Sequence, residues 1–290
     1  DLITVSTNVW YQTHGRPPIF PAGPGPTEVF FDVYEALDPG CGVVAVANRS
    51  GRLAGSCFFH PRPTHVSLGI MNVHPNYFGA GVARRLLQFI IDYAERERKP
   101  LRLVSSALNL DSFSLYTRAG FVPHTAYQDM YLAVPREGLP HDSPAPGRVR
   151  DAAPADVPAM VALEMEIAGI CREKDFCYFL DNRDGFWHMS VYESAGRIEG
   201  FMASSGHPAS NMIGPGAARA PEQAAALLLT ELNRHRGRTP VFLAPVDCTP
   251  LVRQAYAWGA KNCEMHFAQA RGEARRPTGV HMPTFLPESS

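Results

Sequence analysis

An α/β protein made of two successive halves, each with a mixed, mostly antiparallel central sheet flanked by helices, is what this sequence predicts. Three observations lead there. Short β-branched runs alternate with longer runs of helical period across all 290 residues. A proline-rich segment, residues 135–146 (PREGLPHDSPAP), has the composition of a linker and falls near the middle. The order of elements before that segment recurs after it, as an internal repeat does. The expected division is residues 1–135, a linker at 136–147, a second half at 148–270 and an extended tail at 271–290.

Each element has its own signal. Asp1 to Tyr11 is ambiguous, with β-branched residues favouring a strand while Leu2, Val5 and Val9 fit one helical face. Residues 15–26 (GRPPIFPAGPGP) form a loop. Thr27 to Leu37 reads as a helix whose apolar side carries Phe30, Phe31, Tyr34 and Leu37. Gly42 to Ala47 and Leu53 to His60 form a hairpin across Asn48-Arg-Ser-Gly51. Val66 to Val73 is the next strand, Gly81 to Arg98 a long helix and Leu101 to Ala107 a strand. A short helix capped by Asp111 or Ser112 ends at Gly120, and Tyr127 to Val134 is the last strand of this half.

Composition narrows the classes. Lys+Arg 27 against Asp+Glu 28 gives a net charge of −1, which is no footprint for nucleic acid or an anionic membrane. The longest apolar runs fall short of the ~18–20 residues that span a bilayer. The six cysteines, at 41, 57, 171, 177, 248 and 263, include no Cys-x-x-Cys pair and read as reduced thiols of a cytoplasmic protein. His and Cys spacings match no zinc motif, so no metal is expected. No Gly-x-Ser-x-Gly elbow is present either.

The most informative stretch is Asn76-Tyr-Phe-Gly-Ala-Gly-Val-Ala-Arg-Arg-Leu-Leu87. A glycine turn that opens a helix after a strand converges backbone N–H groups and the positive end of the helix dipole on one point, as a phosphate requires. Such junctions are also ordinary connections. A Walker loop is excluded because no lysine follows the glycines. A dinucleotide fingerprint is excluded because Arg84 stands at its third glycine and the acidic residues at the right distance, Glu95 and Glu97, fall inside the helix.

A second segment follows: Asn109-Leu-Asp-Ser-Phe-Ser-Leu-Tyr-Thr-Arg-Ala-Gly-Phe121. Together the two segments resemble the GNAT superfamily of acetyl-CoA-dependent N-acetyltransferases, over roughly residues 42–134. The family's Arg/Gln-x-x-Gly-x-Gly/Ala reads here Phe78-Gly-Ala-Gly81-Val-Ala83; its helix carrying Leu-Tyr and ending in Gly-Phe reads Leu115-Tyr116 and Gly120-Phe121. The resemblance implies tandem GNAT-like domains, with acetyl-CoA as cosubstrate and a small-molecule or peptide amine as acceptor. It further implies that Met71, Asn72 and Val73 hold the pantetheine by their main chain. The pyrophosphate would rest on Phe78, Gly79, Ala80, Gly81, Val82, Ala83 and Arg84. Asn109 would contact the pantetheine or cap its helix, and Tyr116 would serve as the acid for the leaving thiolate or as a core residue. Phe78 replaces the usual Arg or Gln, so its backbone N–H is kept and a side-chain donor is lost.

The base that takes the amine proton is not identified by the letters. Glu28, Asp32, Glu35, His60, His65 and His74 are all candidates, each with the competing reading of a solvated charge or a surface histidine. A non-catalytic acyl-CoA-binding protein and a structural adaptor remain the alternatives to an enzyme.

In the second half, Pro154 to Ala168 reads as a helix, Trp187 to Glu193 and Arg197 to Ser204 as a hairpin, and Asn211 to Gly214 as a strand entering a turn at Pro215-Gly-Ala-Ala-Arg. Pro221 to His235 and Thr249 to Trp258 are helices; Val241 to Pro245 and Asn262 to Ala270 are strands. Placing Gly259 on Gly120 puts Ala255 at the Tyr116 position, and Tyr256 is turned away by about 100°. Pro215 removes a backbone donor from the expected turn. This half therefore reads as a GNAT-like domain without the acyl-CoA apparatus.

Overall fold

The computed structural model describes residues 1–289, for Ser289 the backbone only. The chain divides into two compact units, residues 1–103 with 286–289, and residues 104–285.

The first unit contains α1 (Leu2–Thr13), α2 (Glu28–Leu37), β1 (Gly42–Val46), β2 (Leu53–Pro61), β3 (Val66–Val73), α3 (Val82–Arg96) and the start of β4 (Leu101–Ser106). The ambiguous N-terminal segment is thus a helix, held to the start of α2 by a Thr4–Thr27 hydroxyl pair at 2.8 Å. The strands run β1-β2-β3-β4, the first two pairs antiparallel and the last parallel. Alternation along β2 sends Phe58 and His60 toward α2, where Tyr34 meets their rings at 5.0 and 4.7 Å. Phe59 points the other way, to Tyr93 of α3. Helix α3 buries Leu86, Leu87, Ile90, Ile91 and Ala94, the stripe that a 3.6-residue period lays on one face.

The second unit contains the end of β4, α4 (Leu110–Arg118), β5 (Val122–Tyr131), β6 (Val149–Asp151), α5 (Val157–Ala168), α6 (Glu173–Asp181), β7 (Trp187–Ser194), β8 (Arg197–His207), β9 (Ser210–Ala218), α7 (Pro221–Arg234), β10 (Val241–Pro245), α8 (Thr249–Ala257), β11 (Lys261–Arg271) and β12 (Val280–Met282). Its strands run β11-β5-β10-β9-β8-β7-β6, with β12 added to β9. All pairs are antiparallel except β9 with β10. Helix α7 supplies much of the core through Ala224 to Leu229 and Leu232. Its Glu231 is fully buried and accepts hydrogen bonds from Ser190 Oγ, Ser204 Oγ (2.6 Å) and His188 Nδ1 (3.0 Å), tying α7 to β7 and β8. Glu164 of α5 is likewise buried, against Arg172 at 2.8 Å.

Three expectations need correction. Residues 215–218 are the end of β9, not a turn: Gly214 and Gly216 are accommodated within the sheet because any side chain there would strike a neighbour, Pro283 O at 2.5 Å and Met202 Cε at 2.9 Å respectively. Glu173–Asp181 is a helix that the letters do not announce, because a polar first turn masks Phe176 and Phe179. The tail is not merely extended, since Val280–Met282 pairs with β9.

His235, just after α7, is buried and shares a hydrogen bond of 2.7 Å with Asn211 Oδ1. Burial drives its pKa down to about 4, with Arg238 adding to the effect and Glu231 opposing it. A folded pKa below the unfolded value means that the unfolded chain binds the proton better, so this residue withdraws stability as pH falls from about 6.5 toward 4. The thermal midpoint of the parent should fall more steeply than that of His235→Gln over this interval. Parallel curves would count against it.

Candidate acyl-CoA site

In the first unit β3 and β4 pair only at Val66–Leu101 and Ser67–Arg102. Beyond Ser67 the strands part, and the β4-facing edge of Leu68 to Val73 has no strand partner among the described residues. The other edge is paired to β2 through Gly55–Val73, Ser56–Asn72 and Cys57–Met71. Met71, Asn72 and Val73 thus lie where a ligand can complete the ladder, as buried N–H and C=O groups demand. The side-chain oxygen of Asn72 is buried with no hydrogen-bond partner among the described residues.

The chain then makes a short 3₁₀ turn, Pro75–Tyr77, capped by His74 Nδ1 accepting from Asn76 N (3.2 Å), and enters α3 through Gly79 and Gly81. Both glycines have positive φ, 75° and 77°, a conformation costly for other residues. A Cβ at either would meet nothing within 4 Å, so the concave side of the turn is open. Helix α3 begins with no side-chain cap and no acidic residue in its first turn; Arg84 and Arg85 stand there, exposed. The first-turn N–H groups of any helix lack intrahelical acceptors. Here two cations reinforce the positive helix end instead of compensating it, an arrangement suited to an anion. Val82 and Ala83 are half-buried at the base of the turn, Ala80 is exposed and Phe78 is 50% exposed. Gly55 lets α3 come this close: a Cβ there would lie 2.8 Å from Val82 Cγ1 and 2.9 Å from Asn72 O.

Asn109 and Tyr116 belong to the second unit. Asn109 Oδ1 accepts from Ser112 N at 3.0 Å, so the helix cap is Asn109 and not Asp111 or Ser112. Tyr116 is buried on α4, its ring 5.7 Å from that of Phe121.

Of the base candidates, Glu28 and Asp32 are exposed and Glu35 accepts from Gly40 N. His60 and His65 are fully buried, against the surface reading. His65 bonds Thr64 and Ser67 at 3.0 Å. His60 Nδ1 meets Asp38 Oδ2 at 2.8 Å, and the Arg62 guanidinium holds the same carboxylate. On the other side, His60 Nε2 lies 3.8 Å from Glu288, which also accepts from the Tyr34 hydroxyl. Burial lowers the His60 pKa, but the hydrogen bond to Asp38 and the nearby Glu288 carboxylate outweigh it and raise the net value. The ring sits against β3 because Gly69 has no side chain; a Cβ there would be 2.8 Å from Nε2. Sequence reasoning missed this group, since its members are up to 250 positions apart (38 to 288).

The second unit repeats the parting of a parallel pair. β9 and β10 pair only at Met212–Val241 and Ile213–Phe242. There the freed edge is filled: β12 pairs through Val280–Ala218, His281–Ala217 and Met282–Gly216. Helix α7 opens at Ala220 without a glycine turn. Ala255 is fully buried, whereas Tyr256 is half exposed and its hydroxyl meets Gln128 Oε1 at 2.5 Å.

The parted strands, the glycine turn and the uncapped helix form one open site, and comparison with known proteins places the fold around it. Residues 8–121 match the model of the Acetyltransferase (GNAT) family. The whole fold is similar to a putative acetyltransferase from Pyrococcus horikoshii (TM-score 0.73, 15% identity, covering 99% of this chain and 91% of that one). It is similar also to a GCN5-related N-acetyltransferase from Sphaerobacter thermophilus (TM-score 0.60, 18% identity, 97% and 92%). A tandem GNAT protein from the clavulanic acid biosynthesis pathway aligns at TM-score 0.55 and 16% identity, over 83% of this chain and 86% of its own. A curated relative, UPF0157 protein YqkA of Bacillus subtilis (strain 168), is 36% identical over 73 residues, which span 25% of this chain and 21% of that protein. The tandem GNAT-like α/β fold expected from the sequence is therefore the fold observed. Among the described residues no helix is long and apolar enough to cross a membrane.

The close seat of α3 can be probed at Gly55. Gly55→Val should cost about 1–3 kcal/mol by overpacking against Val82 and Leu86. A thermal midpoint equal to that of the parent would show that α3 is not seated on β2 as described.

Proposed function

We propose that the protein is an N-acetyltransferase that moves an acetyl group from acetyl-CoA to a primary amine of a small molecule or peptide, using the first GNAT-like domain. The observation that carries this reading is the start of α3: two positive-φ glycines facing open space, no cap, no acid, and two arginines. Acetyl-CoA supplies the activated acyl group. The main chain of Met71 to Val73 would hold the pantetheine arm, and a backbone N–H of that edge would polarise the thioester carbonyl. The N–H groups from Gly79 to Arg84 would receive the phosphates.

In the overall exchange the acceptor nitrogen forms a bond to the acetyl carbon, the carbon–sulfur bond breaks, the amine loses a proton and the thiolate gains one. Tyr116 is proposed as the residue that serves the thiolate, on the strength of its place in the second motif. A phenol of pKa about 10 facing a thiol of about 8.5 would give up its proton uphill by roughly 2 kcal/mol, so hydrogen bonding to the developing charge is the larger part of its help. Exposed Phe78 favours a second reading, a non-catalytic acyl-CoA sensor, because the usual side-chain donor to the phosphates is missing.

Two variants separate phosphate binding from folding. Gly81→Asn tolerates positive φ and should bind CoA nearly as the parent does, whereas Gly81→Asp places a negative charge at the turn and should weaken binding at least about tenfold. Calorimetry giving equal affinities for the two would remove this turn from the site. Thiol release from acetyl-CoA with a panel of amines then tests turnover; CoA binding with no acetylated amine would favour the sensor.

Tyr116→Phe should leave CoA affinity unchanged and lower kcat, because the hydroxyl acts on charge present only in the transition state. An unchanged single-turnover rate would exclude it. Each chain should bind one CoA, since β12 fills the corresponding edge of the second unit. Two equivalent sites per chain in a titration would overturn the asymmetry.

A further inference from the structure

Strands β5 and β11 bring three ionisable side chains of the second unit to one point. Asp129 of β5 is paired directly with Glu264 of β11, and His266 follows two residues later on the same face. His266 Nδ1 lies 3.5 Å from Asp129 Oδ2, and its Nε2 lies 3.2 Å from Glu264 Oε1. One ligand atom from each residue falls within 4.8 Å of the other two. The side chains of Asp129 and His266 are only 10% and 7% exposed. Asp129 Oδ1 and His266 Nδ1 have no hydrogen-bond partner among the described residues, whereas Glu264 Oε2 is oriented by Ser106 Oγ at 3.0 Å.

Two carboxylates opposite each other on a ladder repel, and burial raises the cost. A proton taken up by one carboxyl removes one charge and supplies a single O–H donor. A divalent cation answers all of these demands together. The imidazole is suited to it, because its Nδ1 has no hydrogen-bond partner among the described residues and a neutral ring keeps a nitrogen lone pair for coordination.

We propose that Asp129, Glu264 and His266 form a divalent metal site that fastens β11 to β5. One imidazole nitrogen and two carboxylate oxygens select a borderline ion of the zinc type, because magnesium and calcium take oxygen ligands almost alone. Three protein ligands leave a fourth position for water. Ser106 serves as the group that orients a ligating carboxylate, a common companion of such ions. The site stands independently of acetyl transfer, and sequence spacing does not betray it because 134 positions separate Asp129 from Cys263 and Glu264 is the next residue.

The test uses the untagged full chain, stripped with chelator and titrated with Zn²⁺, Co²⁺ or Mg²⁺. One Zn²⁺ per chain should bind and raise the thermal midpoint, and Co²⁺ should give the visible absorption of a low-coordinate site, while Mg²⁺ should do neither. Asp129→Asn and Glu264→Gln keep shape and relieve repulsion, so both variants should fold at least as stably without metal and bind Zn²⁺ at least about tenfold more weakly. Absence of one-to-one uptake by the parent, or uptake by both variants with the parent's affinity, would overturn the site and leave a proton-sharing carboxylate pair in its place.

Discussion

A parallel strand pair that holds for two residues and then opens is the constraint from which the rest of this molecule follows. Backbone N–H and C=O groups left by such a parting must find partners. In the second unit the chain meets that demand itself, by laying β12 along β9. In the first unit the described strands do not, and the free edge of β3 runs toward the glycine turn of α3. One device, answered in two ways, leaves one half of a repeated architecture with an unpaired edge among the described strands and the other with a paired one.

The electrostatics point the same way. A helix start is normally compensated by a capping side chain or an acid in its first turn. Helix α3 has neither and adds Arg84 and Arg85, whereas α7 has Gln223 reaching back to the N–H of Ala220 and Glu222 in its first turn. The helix that would face a polyanion is thus left uncompensated, and its counterpart is neutralised internally.

Much of this was legible in the letters where the signal was local. The bounds of β3 and β10 and the glycine turn follow from β-branched runs and punctuation within a dozen residues. Asn109 was read as either a cap or a ligand contact, and the cap is formed. Non-local features were not legible. Gly214-Pro-Gly reads as a turn by composition, yet tight packing against Met202 and Pro283 holds it in a strand. His60 reads as a surface residue because nothing near it in sequence announces Asp38, Arg62 and Glu288 as its partners. Helix α6 was missed because its buried Phe176 and Phe179 follow an acidic first turn.

The placement of residues 286–289 in the first unit bears on how the chain reaches its native state. The Tyr34–Glu288 hydrogen bond joins residues 254 positions apart. Contacts of such separation carry a high loop-closure entropy and slow folding. During synthesis the segment from α1 to α3 can collect its local contacts early, but the buried face around Tyr34 and His60 is sealed only after the second unit has been made. A fragment ending at the proline-rich segment would therefore lack part of its own interior, and the two units are bound to a common folding schedule despite their separate cores.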